Sequence, residues 1–130
     1  MAYPTGSGSE ILRRGAINSQ AAVATAFKFD GTDPSTGTSS YTVPANHIIT
    51  MLSIIITEYA NAVKEFTMYI NNGHGSLPQI QIIQDRSVGA RQTFIFADKF
   101  VLIGGDNLKI NATSGSVFDI LYTYVDQNWE

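Results

Sequence analysis

The stretch His47-Ile48-Ile49-Thr50-Met51-Leu52-Ser53-Ile54-Ile55-Ile56-Thr57 decides the fold class. β-Branched side chains lose rotamer freedom in a helix and pack well on a pleated surface, so three consecutive isoleucines favour a strand. At eleven residues it is far short of the ~20 apolar residues that would span a bilayer as a helix. Even positions place Ile48, Thr50, Leu52, Ile54 and Ile56 on one face, and odd positions place Ile49, Met51 and Ile55 on the other. A strand with one face in a core alternates apolar and polar residues. Apolar side chains on both faces therefore predict a second contact, with another layer or another subunit.

Working outward, the same signature recurs. On the N-terminal side, Tyr41-Thr42-Val43 enters the strand through a Pro44-Ala45-Asn46 turn. Before it, Asp30 to Ser40 is a run of breakers and small polar residues that reads as surface loop, and Ala22 to Phe29 reads as a strand. On the C-terminal side, Tyr59 to Ala62 is of hairpin length, and Val63 to Asn71 directs Phe66, Met68 and Ile70 inward. Leu77 to Asp85 sets Ile80 and Ile82 against glutamines, and Ala90 to Ala97 sets Phe94 and Phe96 on one side. Leu108, Ile110 and Ala112 alternate with Asn107, Lys109 and Asn111. In the last strand Phe118, Ile120, Tyr122 and Tyr124 share a face, opposite Val117, Asp119 and Leu121. About eight strands with no long helix predict an all-β chain, an antiparallel β-sandwich of jelly-roll or related Greek-key wiring.

At the N-terminus, residues 1–20 read as an extended arm or a frayed end, with Ile11 to Gln20 open to a short helix or a first edge strand. Residues 21–130 form the single sandwich domain, and 130 residues hold no second core. The opening residues lack the basic start and apolar core of a secretory signal. Arg13-Arg14 is followed by residues too polar for a twin-arginine export signal.

Hydrophobic residues make up 44% of the chain and charged residues 15%, which argues against disorder and against a solvated coiled coil. Isoleucine outnumbers leucine fifteen to six. A net charge of −3 speaks against a nucleic-acid partner, and no membrane partner is expected. Without cysteine there is neither disulfide nor thiolate chemistry.

Candidate chemistry is sparse. His47 and His74 could serve as bases, but neither stands in a nucleophile motif, and two histidines make no zinc site. Asp30 and Asp33 lack the register of a calcium loop. Asp85, Asp98, Asp106 and Asp126 read as solvated acids in turns or on outward positions. Asp119, mid-strand among apolar residues, is expected to meet a basic side chain across the sheet or an interface. Tyrosines and Trp129 could stack on sugars or form an association surface. No cofactor and no enzymatic activity are expected.

Two stretches are familiar as wholes. One runs from Tyr41-Thr42-Val43-Pro44-Ala45-Asn46 through the isoleucine-rich strand into Val63–Asn71. The other comprises Asp98-Lys99-Phe100-Val101-Leu102, the Gly104-Gly105-Asp106-Asn107 turn, the strand that follows with its Ser114-Gly115 turn, and the terminal strand. Over residues 41 to 126 this order resembles the small β-sandwich modules of tailed-bacteriophage virion proteins. It departs at Asn46, where such modules commonly carry glycine; asparagine also tolerates a left-handed backbone. The resemblance implies a non-enzymatic virion protein, most like a capsid decoration (cement) protein on the capsid surface. Its partners would then be itself, as a homotrimer, and the major capsid protein. It further implies an arm contacting the capsid, with Tyr3, Arg13 and Arg14 as candidates. Candidates for the subunit interface are Ile49, Met51, Ile55, Asp119 and Leu121. A head–tail connector, tail or fibre-attachment module is the alternative within phages, and a carbohydrate-binding sandwich the alternative outside them.

Overall fold

The computed structural model describes residues 9–20, 25–31, 41–71, 79–112 and 118–128. Among them run nine strands: β1 (Ser9–Gln20), β2 (Thr25–Ala26), β3 (His47–Glu58), β4 (Lys64–Ile70), β5 (Ile80–Val88), β6 (Thr93–Phe96), β7 (Phe100–Ile103), β8 (Leu108–Ala112) and β9 (Phe118–Asn128). They form two antiparallel sheets. One has the order β1-β9-β3-β6, with β7 also paired to β3; the other has the order β2-β8-β4-β5. The chain crosses between sheets at every connection except β4–β5 and β6–β7, which is jelly-roll wiring. The predicted all-β antiparallel sandwich is the observed one. Tyr59 to Ala62, of hairpin length, is instead an arch between sheets.

The decisive stretch is β3, and its two-faced pattern has a local cause. The pairing with β9 slips by one residue between Met51 and Ser53, a β-bulge. Before the bulge the odd residues Ile49 and Met51 point inward; after it the even residues Ile54, Ile56 and Glu58 do. A single inward face therefore draws on both parities. Ile49 and Met51, candidates for a subunit interface, are at most 1% exposed and belong to the core, so they are removed from any interface.

Residues 9–20 are a strand rather than part of an extended arm. From Ser9 the chain pairs with β9, and Ile17 joins the core at 1% exposure, so Ser9–Gln20 is an edge strand. Tyr3 lies outside the described residues. The Ala22–Phe29 strand is represented by Thr25–Ala26, followed by buried Phe27 and Phe29; residues 21–24 are outside the described set. β5 begins and ends three residues later than expected. Its pairing with β4 is irregular near Met68, and Asp85 adopts φ 50°, so Ile83 turns inward while Ile80 is 52% exposed.

Alternation in β9 is as predicted: Phe118, Ile120, Tyr122 and Tyr124 are all at most 2% exposed. Each buried side chain of this size contributes roughly 2–3 kcal/mol relative to its exposed state. Two of them also bind the layers together. The Tyr122 hydroxyl donates to the Lys28 carbonyl at 2.6 Å and accepts the Lys28 N–H at 3.0 Å, while Tyr124 accepts the Gly31 N–H at 3.2 Å. Phe27 and Phe29 pack edge-on against these rings, and Tyr41 packs edge-on against Phe29. Buried phenols need such partners, because an unpaired hydroxyl costs about 1–3 kcal/mol, enough to offset much of what burying the ring gains.

Gly15 on β1 faces Tyr122 in register, and a Cβ at this position would overlap the Tyr122 phenol ring. Gly15→Ala is expected to lower stability by about 1–3 kcal/mol through displacement of that ring, measured by urea denaturation. Burial, then the charges of Asp30, Asp126 and Tyr124, push Tyr41 up to about 12. A phenol raised above its unfolded value of 10.0 contributes stability that is complete below pH 10 and lost as pH climbs towards 12. Tyr41→Phe is expected to flatten part of that alkaline slope in chemical-denaturation profiles.

Candidate interaction surface

With Ile49 and Met51 buried, the remaining interface candidates gather on the outer face of the β1-β9-β3-β6 sheet. Ladder register places Leu121 directly between Ala16 and Ile55, and Ile55 beside Ile95, forming one apolar row across four strands. A second row runs from Leu12 through Val125 and Thr50 to Val101. Leu12 is 68% exposed, Ile95 61%, Val101 53% and Leu121 38%. Two largely aliphatic rows, separated by Arg14, Thr123 and Ser53, exceed what scattered surface residues explain.

The floor is not flat. A depression of about 340 Å³ is lined by Ala16, Ile55, Thr57, Asp119 and Leu121, together with Ile17 and Ile120. Asp119 is opposite Thr57 in register, and Thr57 Oγ1 lies 3.3 Å from Thr93 Oγ1, so one end of the face is polar. Arg14 sits between the two apolar rows, opposite Thr123. The structure thus brings Ile55, Asp119, Leu121 and Arg14 onto one surface. Arg13 turns the other way, donating from Nη1 to the Asp30 carbonyl at 3.4 Å, and so supports the loop rather than a partner contact. Sequence reading missed Ile95, Val101 and Leu12 because their meaning depends on which strands are neighbours.

Two acids read as solvated, Asp106 and Asp126, are in fact buried, while Asp85 and Asp98 are exposed. Asp126 is 7% exposed and its Oδ1 lies 2.8 Å from His47 Nδ1. Asp106 is 8% exposed and accepts the Ile103 N–H at 2.9 Å, closing its own turn. Glu58, which sequence reading did not single out, is fully buried; its carboxylate accepts the N–H groups of Ala60 and Arg91, each at 2.6 Å. Burial pulls its pKa upward, but those contacts and the Asn61 and Ala62 N–H groups outweigh it and hold the carboxyl below its ordinary value. These acids satisfy turns and strand ends, leaving His47 with a structural partner. His74 lies outside the described residues. Among the described residues no group of three or more His, Asp or Glu could hold a metal ion. No helix is long and apolar enough to cross a membrane, among the same residues.

Tyr122 and Tyr124 are core residues, leaving Tyr59, 43% exposed, as the tyrosine best presented to a sugar ring among those described. Trp129 lies outside them.

No protein-family description and no curated protein sequence matches the chain. The Eiger TNF from S. frugiperda, a solved structure, is similar at 12% identity over 98% of this chain and 88% of that one, with a TM-score of 0.40. A likeness so distant carries no weight for role.

His47→Ala would leave the buried Asp126 carboxylate without its imidazole. Urea denaturation is expected to show a loss of about 2 kcal/mol at neutral pH. His47→Asn, which can still donate to Asp126, is expected to recover part of it.

Proposed function

We propose that the protein is a non-enzymatic virion structural component that binds the outer capsid surface as an oligomer, a homotrimer, and stabilises contacts between capsid subunits. The observation that carries this reading is the exposed apolar face of the five-stranded sheet, centred on Ile55, Leu121 and Ile95. Specific interfaces bury about 800 Å² per partner, and apolar centres with polar margins are their usual make-up. Thr57, Thr93 and Asp119 supply such a margin on one side. The resemblance of residues 41–126 to phage virion modules supports the capsid as the second partner, and repetition over a lattice would multiply a modest affinity. Arg14 is a candidate for contact with the capsid protein, although it lies on a paired strand rather than a free arm.

Two measurements test the proposal. Sedimentation equilibrium is expected to give a trimer, and Leu121→Lys combined with Ile95→Lys is expected to give monomers with unchanged far-ultraviolet circular dichroism. Co-sedimentation with capsids lacking the protein is expected to recover wild type and to lose at least tenfold in affinity for the double variant, because avidity is gone. A wild-type monomer at high concentration, or absence from the capsid pellet, contradicts the reading.

A further inference from the structure

The two sheets end side by side in β5 and β6, and between these edges opens a cleft of about 750 Å³. Its floor continues the core: Phe94 and Phe96 from β6, and Ile82 and Ile83 from β5, pack against the buried cluster while remaining only half-buried. Arg86 reaches across from β5, its guanidinium 4.8 Å from the centre of the Phe94 ring. Rings of this size, left partly uncovered at the seam of a sandwich, favour an apolar occupant.

The two edges are built differently. β5 is guarded: its register with β4 is irregular, Asp85 has a positive φ, and the Asp85 N–H is drawn to Thr67 Oγ1 at 3.1 Å. Bulges and charges of this kind discourage a further strand. β6, with the sequence Thr93-Phe94-Ile95-Phe96, has regular register with β3 and contains no charge, proline or bulge. Among the described residues no strand pairs with its other edge. The Gln92 carbonyl accepts the Glu58 N–H at 2.9 Å, so the alternation of an antiparallel ladder directs the N–H and C=O groups of Thr93 and Ile95 away from β3. A ready-made backbone template thus borders a trough with an apolar floor and a polar rim that includes Asp85, Arg86, Ser87 and Asp98.

We propose that the β6 edge is an acceptor for an extended segment of a partner polypeptide, which adds one strand to the five-stranded sheet. Its apolar side chains, at alternate positions, would enter the cleft over Phe94 and Phe96. Main-chain hydrogen bonds supply the attachment and the trough supplies the side-chain preference. Four residues of guest strand, about 13 Å long, match β6. A second copy pairing edge to edge through its own β6 would fit less well. Its Phe94 and Phe96 would face its own opposing sheet, leaving this trough unfilled. The site shares Thr93 and Ile95 with the outer sheet face but uses their main chain at the sheet edge rather than their outward side chains, and it does not rest on a capsid.

The test is amide hydrogen exchange on the full chain, followed by NMR, with the peptide acetyl-Lys-Val-Thr-Val-Thr-Val-Lys-amide at millimolar concentration as probe. Exchange at Thr93 and Ile95 is expected to slow about tenfold or more, while exposed amides remote from β6 stay unchanged. The same peptide N-methylated at its five central residues is expected to have no effect. Unchanged exchange at Thr93 and Ile95, or equal protection by the methylated peptide, overturns the proposal. So does protection that rises with protein concentration in the absence of peptide in the Leu121→Lys variant, whose outer-face association is weakened, because that would assign the edge to a second copy.

Discussion

Strand β9 is the member on which the other parts depend. It pairs with β1 along one edge and with β3 along the other, so both long strands take their register from it. Its inward tyrosines then reach across the interior and hold the Lys28–Gly31 backbone by hydrogen bonds. Sheet pairing, layer spacing and the course of the loop after β2 are therefore set by one run of alternating side chains. Gly15 is the local concession that lets the Tyr122 ring occupy its place.

Inward and outward residues of the same strands divide the labour. The inward set of β3 and β9 fills the sandwich, while Ile55 and Leu121, from the opposite faces of the same two strands, stand side by side on the outside. A polar outer face would have served folding equally well, since the core is already complete without it. Aliphatic groups there have no folding role that the inner face leaves undone. That is why the outer face, rather than any acid or histidine, is the centre of the functional reading.

Much of this was legible in the residues. Clean alternation in β8 and β9 identified their buried sides, and Asn46 at φ 67° keeps the turn that its side chain allows. The two apolar faces of β3 were visible too, but not their cause. A bulge exchanges parity without leaving a mark in hydropathy, so Ile49 and Met51 could not be told from Ile55 by pattern alone. Burial of Asp106, Asp126 and Glu58 was likewise hidden, because a carboxylate enters a core only where N–H donors or an imidazole converge on it, and convergence is a property of topology. The exposed row through Ile95 and Val101 depended on β6 and β7 lying beside β3, a neighbour relation that strand order along the chain does not contain.

The Glu58 carboxylate has a reach beyond its own strand. It closes the 59–62 arch and the turn at Arg91 with the same two oxygens. Those loops are separate in the chain but share an anchor, so neither can be lengthened, shortened or replaced without disturbing the other. For anyone wishing to display a foreign epitope on this scaffold, that end of the sandwich is a poor grafting point: an insert there would unseat two connections at once.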